Sequence, residues 1–434
     1  MFLRNNLSYL KPKNIQDFGQ KCFFCGTFFL SSALPISAFF YLISIGISIH
    51  KINISFAKDK YNQILLISSG IMIFSNINAG LKKDSFSSYS LADIWLDLFN
   101  WFPLFLLFIS SQRYLKSSQQ RKLFSKFLIS GTIPVLISCF MQAWLGIEGP
   151  LKTFNGLIIW YLDKVNYSDI AISGLFSNRN YTATWLSAVL GFSLFEMLDK
   201  NKNIYQKLLI TIISILIFLF TILTFSRSGI ISIFITLIII FRKYKVILPL
   251  ISFYGLSNFI VLTLLSKKVI DLKDLISLKV ARLLILNPEN FLNFNRIELL
   301  GNTYNLILEN PILGWGASTF SHFYRENNGI EDVQHTHNIF LELSYNYGVI
   351  LGIVLTGFVL KLLINGFKSI YFSYFWDSNF LIDICWLTST TVICINQLLD
   401  FTYYDGKISI LIWILLSGIK SIIQDKRIKL NVQN

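Results

Sequence analysis

Arg227 is the residue whose surroundings point most directly to chemistry. It is the only charged residue in the apolar run 208–241. A single helix of that length would extend about 51 Å, well beyond the roughly 30 Å core of a bilayer. The run must therefore fold back, and Ser226, Ser228 and Gly229 favour a turn around Arg227. A cation there is unfavourable unless it faces a polar cavity or an anion, so Arg227 is either an extracytoplasmic phosphate clamp or an arginine that snorkels from a helix end.

A histidine pair is the second candidate. His335 and His337 flank Thr336 where a long polar segment enters an apolar run, and three of the four histidines of the chain lie in that segment. A histidine at the rim of a membrane cavity is suited to act as a general base near neutral pH. Two other interpretations stay open: a metal site that also recruits Glu331 and Asp332, or hydrogen bonds that only cap and order the loop.

Two further arginines have polar neighbours. Arg296 follows Asn295 directly before an amphipathic stretch, although a single arginine in a loop is usually solvated. Arg179 lies between Asn178 and Asn180, and this cluster of hydrogen-bond donors could hold sugars or phosphate. The same asparagines could instead cap the N-terminus of a helix.

The composition shows which elements must position these residues. Hydrophobic residues make up 53% of the 434 residues and charged residues 14%, against about 25% charge in soluble domains. The apolar residues form long uncharged runs, and roughly 20 apolar residues suffice for a helix to cross a bilayer. Soluble enzymes, disordered chains and disulfide scaffolds are thereby excluded. Eleven helices are predicted, at about 23–48, 62–80, 95–111, 124–146, 180–198, 208–226, 228–241, 246–265, 340–364, 379–399 and 407–423.

The predicted fold is an all-α polytopic membrane protein with about 11–12 transmembrane helices and one long extracytoplasmic loop. Residues 1–265 are predicted to form an N-terminal transmembrane bundle, 266–337 the loop, and 338–434 the C-terminal transmembrane helices. Within the loop, the apolar periodicity of 297–308 predicts an amphipathic helix that lies on the membrane or caps a cavity, and Pro311 ends it.

The charge distribution predicts the orientation in the membrane. Lysine and arginine collect in the short loops of one side and in the C-terminal tail, which is typical of the cytoplasmic side. The C-terminus is therefore predicted to be cytoplasmic and 266–337 extracytoplasmic. With eleven helices and a cytoplasmic C-terminus, the basic segment 1–21 would lie outside, although basic segments are expected on the cytoplasmic side. A twelfth helix within 22–49 or around 151–162 would place this segment in the cytoplasm. The net charge of +14 thus reflects membrane topology, and no nucleic-acid partner is expected.

Known nucleotide and hydrolase motifs are missing from the sequence. It has no P-loop, G-x-S-x-G, H-E-x-x-H or dinucleotide fingerprint. ATP-driven transport and serine hydrolysis therefore lose support. No predicted cytoplasmic domain is large enough to bind a nucleotide sugar. If the protein is a glycosyltransferase, its donor should therefore reach it through the membrane.

Five short motifs, in this order, resemble the O-antigen ligase and polymerase superfamily of membrane glycosyltransferases. They are the asparagine-rich turn within 174–183, the S-R-x-G turn within 224–229, Arg296 at the start of the loop helix, the P-x-x-G-x-G turn that begins at Pro311, and the H-x-H-N segment that leads into a glycine-rich span within 335–353. The resemblance covers about residues 95–365, and the order and topology of the motifs carry it.

The resemblance implies a metal-independent transferase that needs no cofactor. Its donor would be a glycan on undecaprenyl pyrophosphate, and its acceptor another glycan, either lipid A-core for a ligase or a growing lipid-linked chain for a polymerase. Arg227 and Arg296 would bind the pyrophosphate, and His337 would be the catalytic base that deprotonates the acceptor hydroxyl. Secondary contacts would come from His335, Arg179 and Asn180. The family also implies a bacterial inner membrane and an active face in the periplasm.

Several functions stay open from the sequence. An O-antigen ligase-like transferase is favoured slightly over a polysaccharide polymerase, which shares the same motifs, and no extra domain supports a transferase that acts on proteins. A membrane solute transporter would be expected to show paired broken helices in two related halves, and no such symmetry is visible. A purely structural membrane protein would leave the arginine of the apolar run and the outer histidines unexplained.

Overall fold

The computed structural model describes residues 14–50, 59–81, 91–163, 171–199, 201–241, 294–328, 333–371 and 380–433. Over these ranges the chain forms helices and one small β-hairpin. The helices are α1 Ile15–Phe29, α2 Leu34–Ile49, α3 Lys60–Leu81, α4 Leu91–Leu96, α5 Phe102–Ser111, α6 Ser118–Leu145, α7 Arg179–Leu198, α8 Ile204–Leu223, α9 Arg227–Phe241, α10 Phe294–Glu309, α11 Phe320–Asn328, α12 Ile339–Tyr347, α13 Val349–Tyr371, α14 Phe380–Leu399 and α15 Gly406–Gln433. A 3-10 turn, Asp97–Asn100, separates α4 from α5.

The all-α polytopic membrane fold expected from the composition is confirmed. Within the described ranges, seven segments are long and apolar enough to cross a membrane. They are α3, the segment Leu91–Ser111 that contains α4 and α5, α6, α8, α13, α14 and the part Gly406–Ile428 of α15. Among the described residues, α2 and most of α9 are shorter apolar helices. The predicted helix 246–265 lies outside the described residues.

The prediction of one helix over 23–48 is wrong, because residues 15–49 form the two helices α1 and α2. Pro35 in the first turn of α2 has no N–H to continue a helix from α1, and a prolyl ring is tolerated at a helix start. The helices fold back on one another, since the Ser37 hydroxyl donates to the Gly26 carbonyl at 2.7 Å. The run 22–49 thus holds parts of two helices, but neither is among the seven described segments that are long and apolar enough to cross a membrane, so the twelfth span considered there stays a prediction.

The other place considered for a twelfth helix, around 151–162, holds the β-hairpin instead. Strands β1 (Leu151–Thr153) and β2 (Ile158–Trp160) pair antiparallel. Phe154, Asn155 and Gly156 adopt positive φ angles at the tip, a conformation that makes a tight hairpin turn and interrupts a helix. This prediction was wrong.

The predicted helix 340–364 is divided at Gly348 into α12 and α13. Gly348 has a φ of 94°, which a residue with a Cβ atom rarely adopts. The chain of the Pro311 turn also passes close by, because the Val349 N–H donates to the Pro311 carbonyl at 2.8 Å. The Trp315 N–H donates to the Tyr345 carbonyl at 2.8 Å, so the same turn provides a donor for a carbonyl at the C-terminal end of α12, where carbonyls lack partners within the helix.

The amphipathic helix predicted within 297–308 is confirmed as α10. Its buried residues Leu299, Thr303, Leu306 and Ile307 share one face, as the helical repeat requires. That face packs with Phe320 and Tyr324 of α11 and Tyr345 of α12. The helix therefore covers other helices of the protein with its apolar side.

The basic loops lie together at one end of the bundle. Arg121 at the start of α6 is fully buried, and its Nη2 atom lies 3.1 Å from the carboxylates of both Asp383 in α14 and Asp425 in α15. Lys202, between α7 and α8, pairs with Glu196, which also accepts a hydrogen bond from α6. The loop before α6, the α7–α8 loop and the C-terminal tail thus share one end. The basic turn at 242–245 lies outside the described residues.

Candidate active site

His337 and Asp400 form the centre of the candidate site. The His337 Nδ1 atom lies 3.0 Å from Asp400 Oδ1, and Asp400 directly follows α14. An ionised carboxylate only accepts hydrogen bonds, so it keeps the imidazole hydrogen on Nδ1 and leaves the ring lone pair on Nε2. The His337 side chain is 32% exposed and the Asp400 side chain 10%. The ring is therefore accessible to a substrate while its partner is largely covered.

Asn180 connects α7 to this pair. Its side-chain Nδ2 donates a hydrogen bond to Oδ2 of Asp400, the carboxylate oxygen that does not face His337. Asn178 is the N-cap of α7 and accepts a hydrogen bond from the Asn180 backbone N–H at 2.8 Å. The capping interpretation is thus correct for Asn178, whereas the Asn180 side chain is a direct contact of the pair. Arg179 is the exposed first residue of α7.

A second set of hydrogen bonds, one helical turn away, fixes three helices around the pair. Asn396 on α14 accepts from the Ser232 hydroxyl of α9 at 2.9 Å and donates to Thr184 of α7 at 3.4 Å. Asn396 and Thr184 each lie four residues from Asp400 and Asn180, so the contact between α14 and α7 repeats after about one turn. Because the chain reverses at both ends of α8, α7 and α9 run in the same direction. The N-termini of both helices therefore lie at the Asp400 end of α14.

Arg227 begins α9 at that end. The predicted reversal within 208–241 is confirmed, since α8 ends just before the turn and α9 starts at Arg227. Gly229 allows the turn to pack closely on α7, because a Cβ atom at this position would lie 3.0 Å from Ala183 Cβ. Arg227 is exposed. Its positive charge thus lies at the same end of the bundle as His337.

The histidine loop, residues 333–338, is held between α12 and α14. The Asn338 side chain caps α12 by accepting from the Phe340 N–H at 2.9 Å, and its Nδ2 donates to the Leu398 carbonyl of α14 at 3.1 Å. His337 has a φ of 56°, a left-handed conformation that is uncommon outside glycine. The hydrogen bonds of the neighbouring residues hold His337 in it.

Glu342 is a buried carboxylate next to the histidine loop. Its Oε2 accepts from the Thr336 backbone N–H at 3.0 Å, and its Oε1 accepts from the Tyr404 hydroxyl at 3.0 Å and from the Asn346 amide at 3.3 Å. Burial raises the pKa of Glu342, and the hydrogen bonds from Thr336 and Tyr404 oppose this increase in part. Glu342 thus contacts both the histidine loop and the segment that joins α14 to α15.

His335 packs against His337. The ring centroids are 4.4 Å apart, and the Phe401 ring lies 5.4 Å from that of His335. Glu331 and Asp332, the further ligands that a metal site would recruit, lie outside the described residues. In the part of the chain that the structure describes, no three His, Cys, Asp or Glu side chains are grouped to hold a metal ion.

Arg296 lies in the first turn of α10, as its place before the amphipathic stretch predicts. The side chains of residues 294–297 are outside the described residues, so its role in binding pyrophosphate stays a prediction. Its helix packs beside α12, which follows directly on the histidine loop.

Sequence reasoning missed Asp400 and Glu342. Asp400 directly follows the predicted helix 379–399, and Glu342 falls inside the predicted helix 340–364. A carboxylate in either place is unfavourable unless it has a polar partner. The criterion that singled out Arg227, a charge within or beside an apolar run, would also have found both acids.

An apolar cavity of about 160 Å³ opens beside the site. Its lining includes Ile339 of α12 and Leu398 of α14, which adjoin the Asn338 contact described above. Leu360 and Leu398 are also exposed on the surface of the bundle. The cavity therefore extends from the start of α12, next to the histidine loop, to the outer surface between α13 and α14.

Comparison with known families supports the resemblance drawn from the motifs. Residues 212–356 match the family described as O-antigen ligase. The matched range contains Arg227, Arg296 and His337, while Asn180 and Asp400 lie outside it. A search of curated proteins gave no match.

Proposed function

From the O-antigen ligase match of residues 212–356 and the geometry of the site, we propose that this membrane protein is a ligase-like glycosyltransferase. It moves a glycan from undecaprenyl pyrophosphate to an acceptor glycan, lipid A-core, on the periplasmic face of the bacterial inner membrane. The observation that carries the proposal is the 3.0 Å contact between His337 Nδ1 and Asp400. It leaves an accessible imidazole nitrogen as base, at the end of the bundle that also carries Arg227.

The base acts on the acceptor. His337 Nε2 takes the proton of the acceptor hydroxyl while its oxygen forms a bond to the anomeric carbon of the donor. The bond from that carbon to the pyrophosphate oxygen breaks, and its electron pair leaves with undecaprenyl pyrophosphate. Asp400 stabilises the imidazolium that results, because its negative charge faces the protonated ring. A single displacement of this kind inverts the anomeric configuration.

Arginine charge stabilises the leaving group. The guanidinium of Arg227 presents a planar fork that pairs with phosphate oxygens in two hydrogen bonds. With Arg296 it neutralises the charge that grows on the pyrophosphate in the transition state. Two arginines supply the electrostatic role that a divalent cation has in other phosphate sites, so the reaction we propose is metal-independent and uses no cofactor.

The two ends of the bundle fit this reaction. The end with Arg121, Lys202 and the C-terminal tail collects basic residues, which is typical of the cytoplasmic side. The His337 end then faces the periplasm, where a flipped lipid-linked glycan is available. The apolar cavity between α13 and α14 provides hydrophobic surface for the lipid part of a substrate that arrives from the bilayer.

A gene deletion with complementation tests the function. The deletion strain receives wild-type protein, His337→Ala, or His322→Ala as a matched control in α11, and its surface lipopolysaccharide is separated on a gel. Bare core with accumulated lipid-linked polymer supports the ligase, and wild type and His322→Ala should restore the ladder while His337→Ala does not. Core with a single repeat unit identifies a polymerase with the same chemistry. An unchanged ladder contradicts both and favours transport or another glycan.

A further inference from the structure

Glu342 connects the two chain segments that form the His337–Asp400 pair. The Thr336 N–H, one residue before His337, donates to Glu342 Oε2, and the Tyr404 hydroxyl, four residues after Asp400, donates to Oε1. Both distances are 3.0 Å. One carboxylate therefore binds the histidine loop with one oxygen and the Asp400 segment with the other.

From this arrangement we propose that Glu342 is a positioning residue for the base: it fixes His337 and Asp400 relative to one another and does not touch the substrate itself. This inference rests on the proposed glycosyl transfer. Glu342 is 3% exposed, so the carboxylate is shielded from substrate and acts through Thr336 and Tyr404.

The chemistry of the three donors explains why a carboxylate is required. Thr336, Tyr404 and Asn346 each present an N–H or O–H group to Glu342. A carboxylate has two acceptor oxygens and accepts all of them. A glutamine of the same shape has one acceptor oxygen and an NH₂ group, so it faces at least one of the donors with another donor.

The backbone of His337 explains why the loop needs this support. Its φ of 56° lies in the left-handed region, which is uncommon for residues other than glycine. The Thr336 N–H is bound to Glu342, while the Thr336 hydroxyl donates to the Asn338 carbonyl at 3.0 Å. When the first bond is lost, the loop relaxes and the His337 ring leaves the oxygen of Asp400.

Kinetics of purified protein in proteoliposomes test the role. The probes are undecaprenyl-pyrophosphate-linked glycan and lipid A-core, both extracted from the deletion strain. We expect Glu342→Gln to accumulate and to lose kcat by up to about 100-fold, as small misplacements of catalytic groups do, with little change in KM for the donor. Glu298→Gln, an exposed acid on α10, is the matched control and should behave as wild type.

A double-mutant cycle with Asp400→Asn separates positioning from general destabilisation. If Glu342 acts through the pair, the double variant should be no slower than Asp400→Asn within about twofold, because the orientation is already lost. Wild-type kcat in Glu342→Gln, or losses that multiply in the double variant, overturns the positioning role. If Glu342→Gln does not accumulate, Tyr404→Phe replaces it in the same cycle, and wild-type kcat there overturns the role equally.

The two proposals fail in different ways. A wild-type protein that turns over no lipid-linked glycan overturns the transferase function and the positioning role with it. A wild-type protein that is active, beside a Glu342→Gln or Tyr404→Phe variant that is equally active, overturns the positioning role alone.

Discussion

His337 Nδ1 lies 3.0 Å from Asp400 Oδ1, although 63 positions separate the two residues in the chain. Between them lie α12, α13 and α14: α13 ends beside the C-terminal part of α9, at the opposite end of the bundle, and α14 brings the chain back to His337. A histidine and a carboxylate in this contact have the geometry of a base and its orienting group. The proposed transferase chemistry depends on this contact.

Asp400→Asn should strongly reduce turnover. Asparagine keeps the size of the side chain but removes the negative charge that orients the imidazole and stabilises its protonated form. We expect kcat to decrease by a factor that approaches the roughly 10²–10⁴-fold contribution of a general base, measured as transfer of lipid-linked glycan in proteoliposomes. Asp93→Asn, an exposed acid on α4, is the control. Unchanged kcat in Asp400→Asn would remove Asp400 from the mechanism.

Arg227 should require a guanidinium and not only a positive charge. Arg227→Ala is expected to lose about 10²–10³-fold in kcat, the range for removal of one electrostatic stabiliser. Arg227→Lys should retain part of the activity, since an ammonium keeps the charge but not the planar pair of hydrogen bonds. The exposed Arg427 at the opposite end supplies the control Arg427→Ala. Equal activity of wild type and Arg227→Ala contradicts the pyrophosphate role.

Arg121→Ala should destabilise the fold. Arg121 is fully buried between Asp383 and Asp425, and its removal leaves buried carboxylate charge with less compensation. A loss of about 3–5 kcal/mol in the free energy of unfolding is expected for a broken buried pair, seen as a lower melting temperature in detergent. The neighbouring Lys122→Ala is the control, and Asp383→Asn in the Arg121→Ala background should recover part of the loss. A wild-type melting temperature in Arg121→Ala contradicts the prediction.

Gly348→Ala should disrupt the junction between α12 and α13. The φ of 94° and ψ of 156° lie in a region that is essentially restricted to glycine and costs other residues about 1–3 kcal/mol, and an added Cβ would lie 2.0 Å from the Ile312 carbonyl oxygen. The Pro311 turn must then move, so we expect less protein in the membrane and a lower melting temperature. Gly357→Ala in the middle of α13 meets no atom within 4 Å and should accumulate normally. Similar accumulation of the two variants would argue against a strained junction.

The sequence by itself determined the membrane class and most of the helices. Uncharged runs fix where helices cross a bilayer, because unpaired charge and unpaired backbone groups are excluded from its core. The reversal at Arg227 followed from the same length argument, and the amphipathic α10 from its apolar repeat. The breaks at Pro35 and Gly348 were missed, because an apolar run shows its length but not the tertiary contacts that divide it.

The tertiary structure alone decided the partners of the candidate base. His337 and Glu342 lie in one short stretch of chain, whereas Asn180 and Asp400 belong to two others, and no spacing in the sequence relates the three stretches. Two features of the packing bring these groups together. Hydrogen bonds of the loop hold His337 at a positive φ, and α7 and α9 both pack on α14 with their N-termini at its Asp400 end. Hydrophobicity places helices in the membrane, but it is non-directional. A base and its carboxylate must meet within hydrogen-bond distance, and only the packing of particular side chains can set that distance.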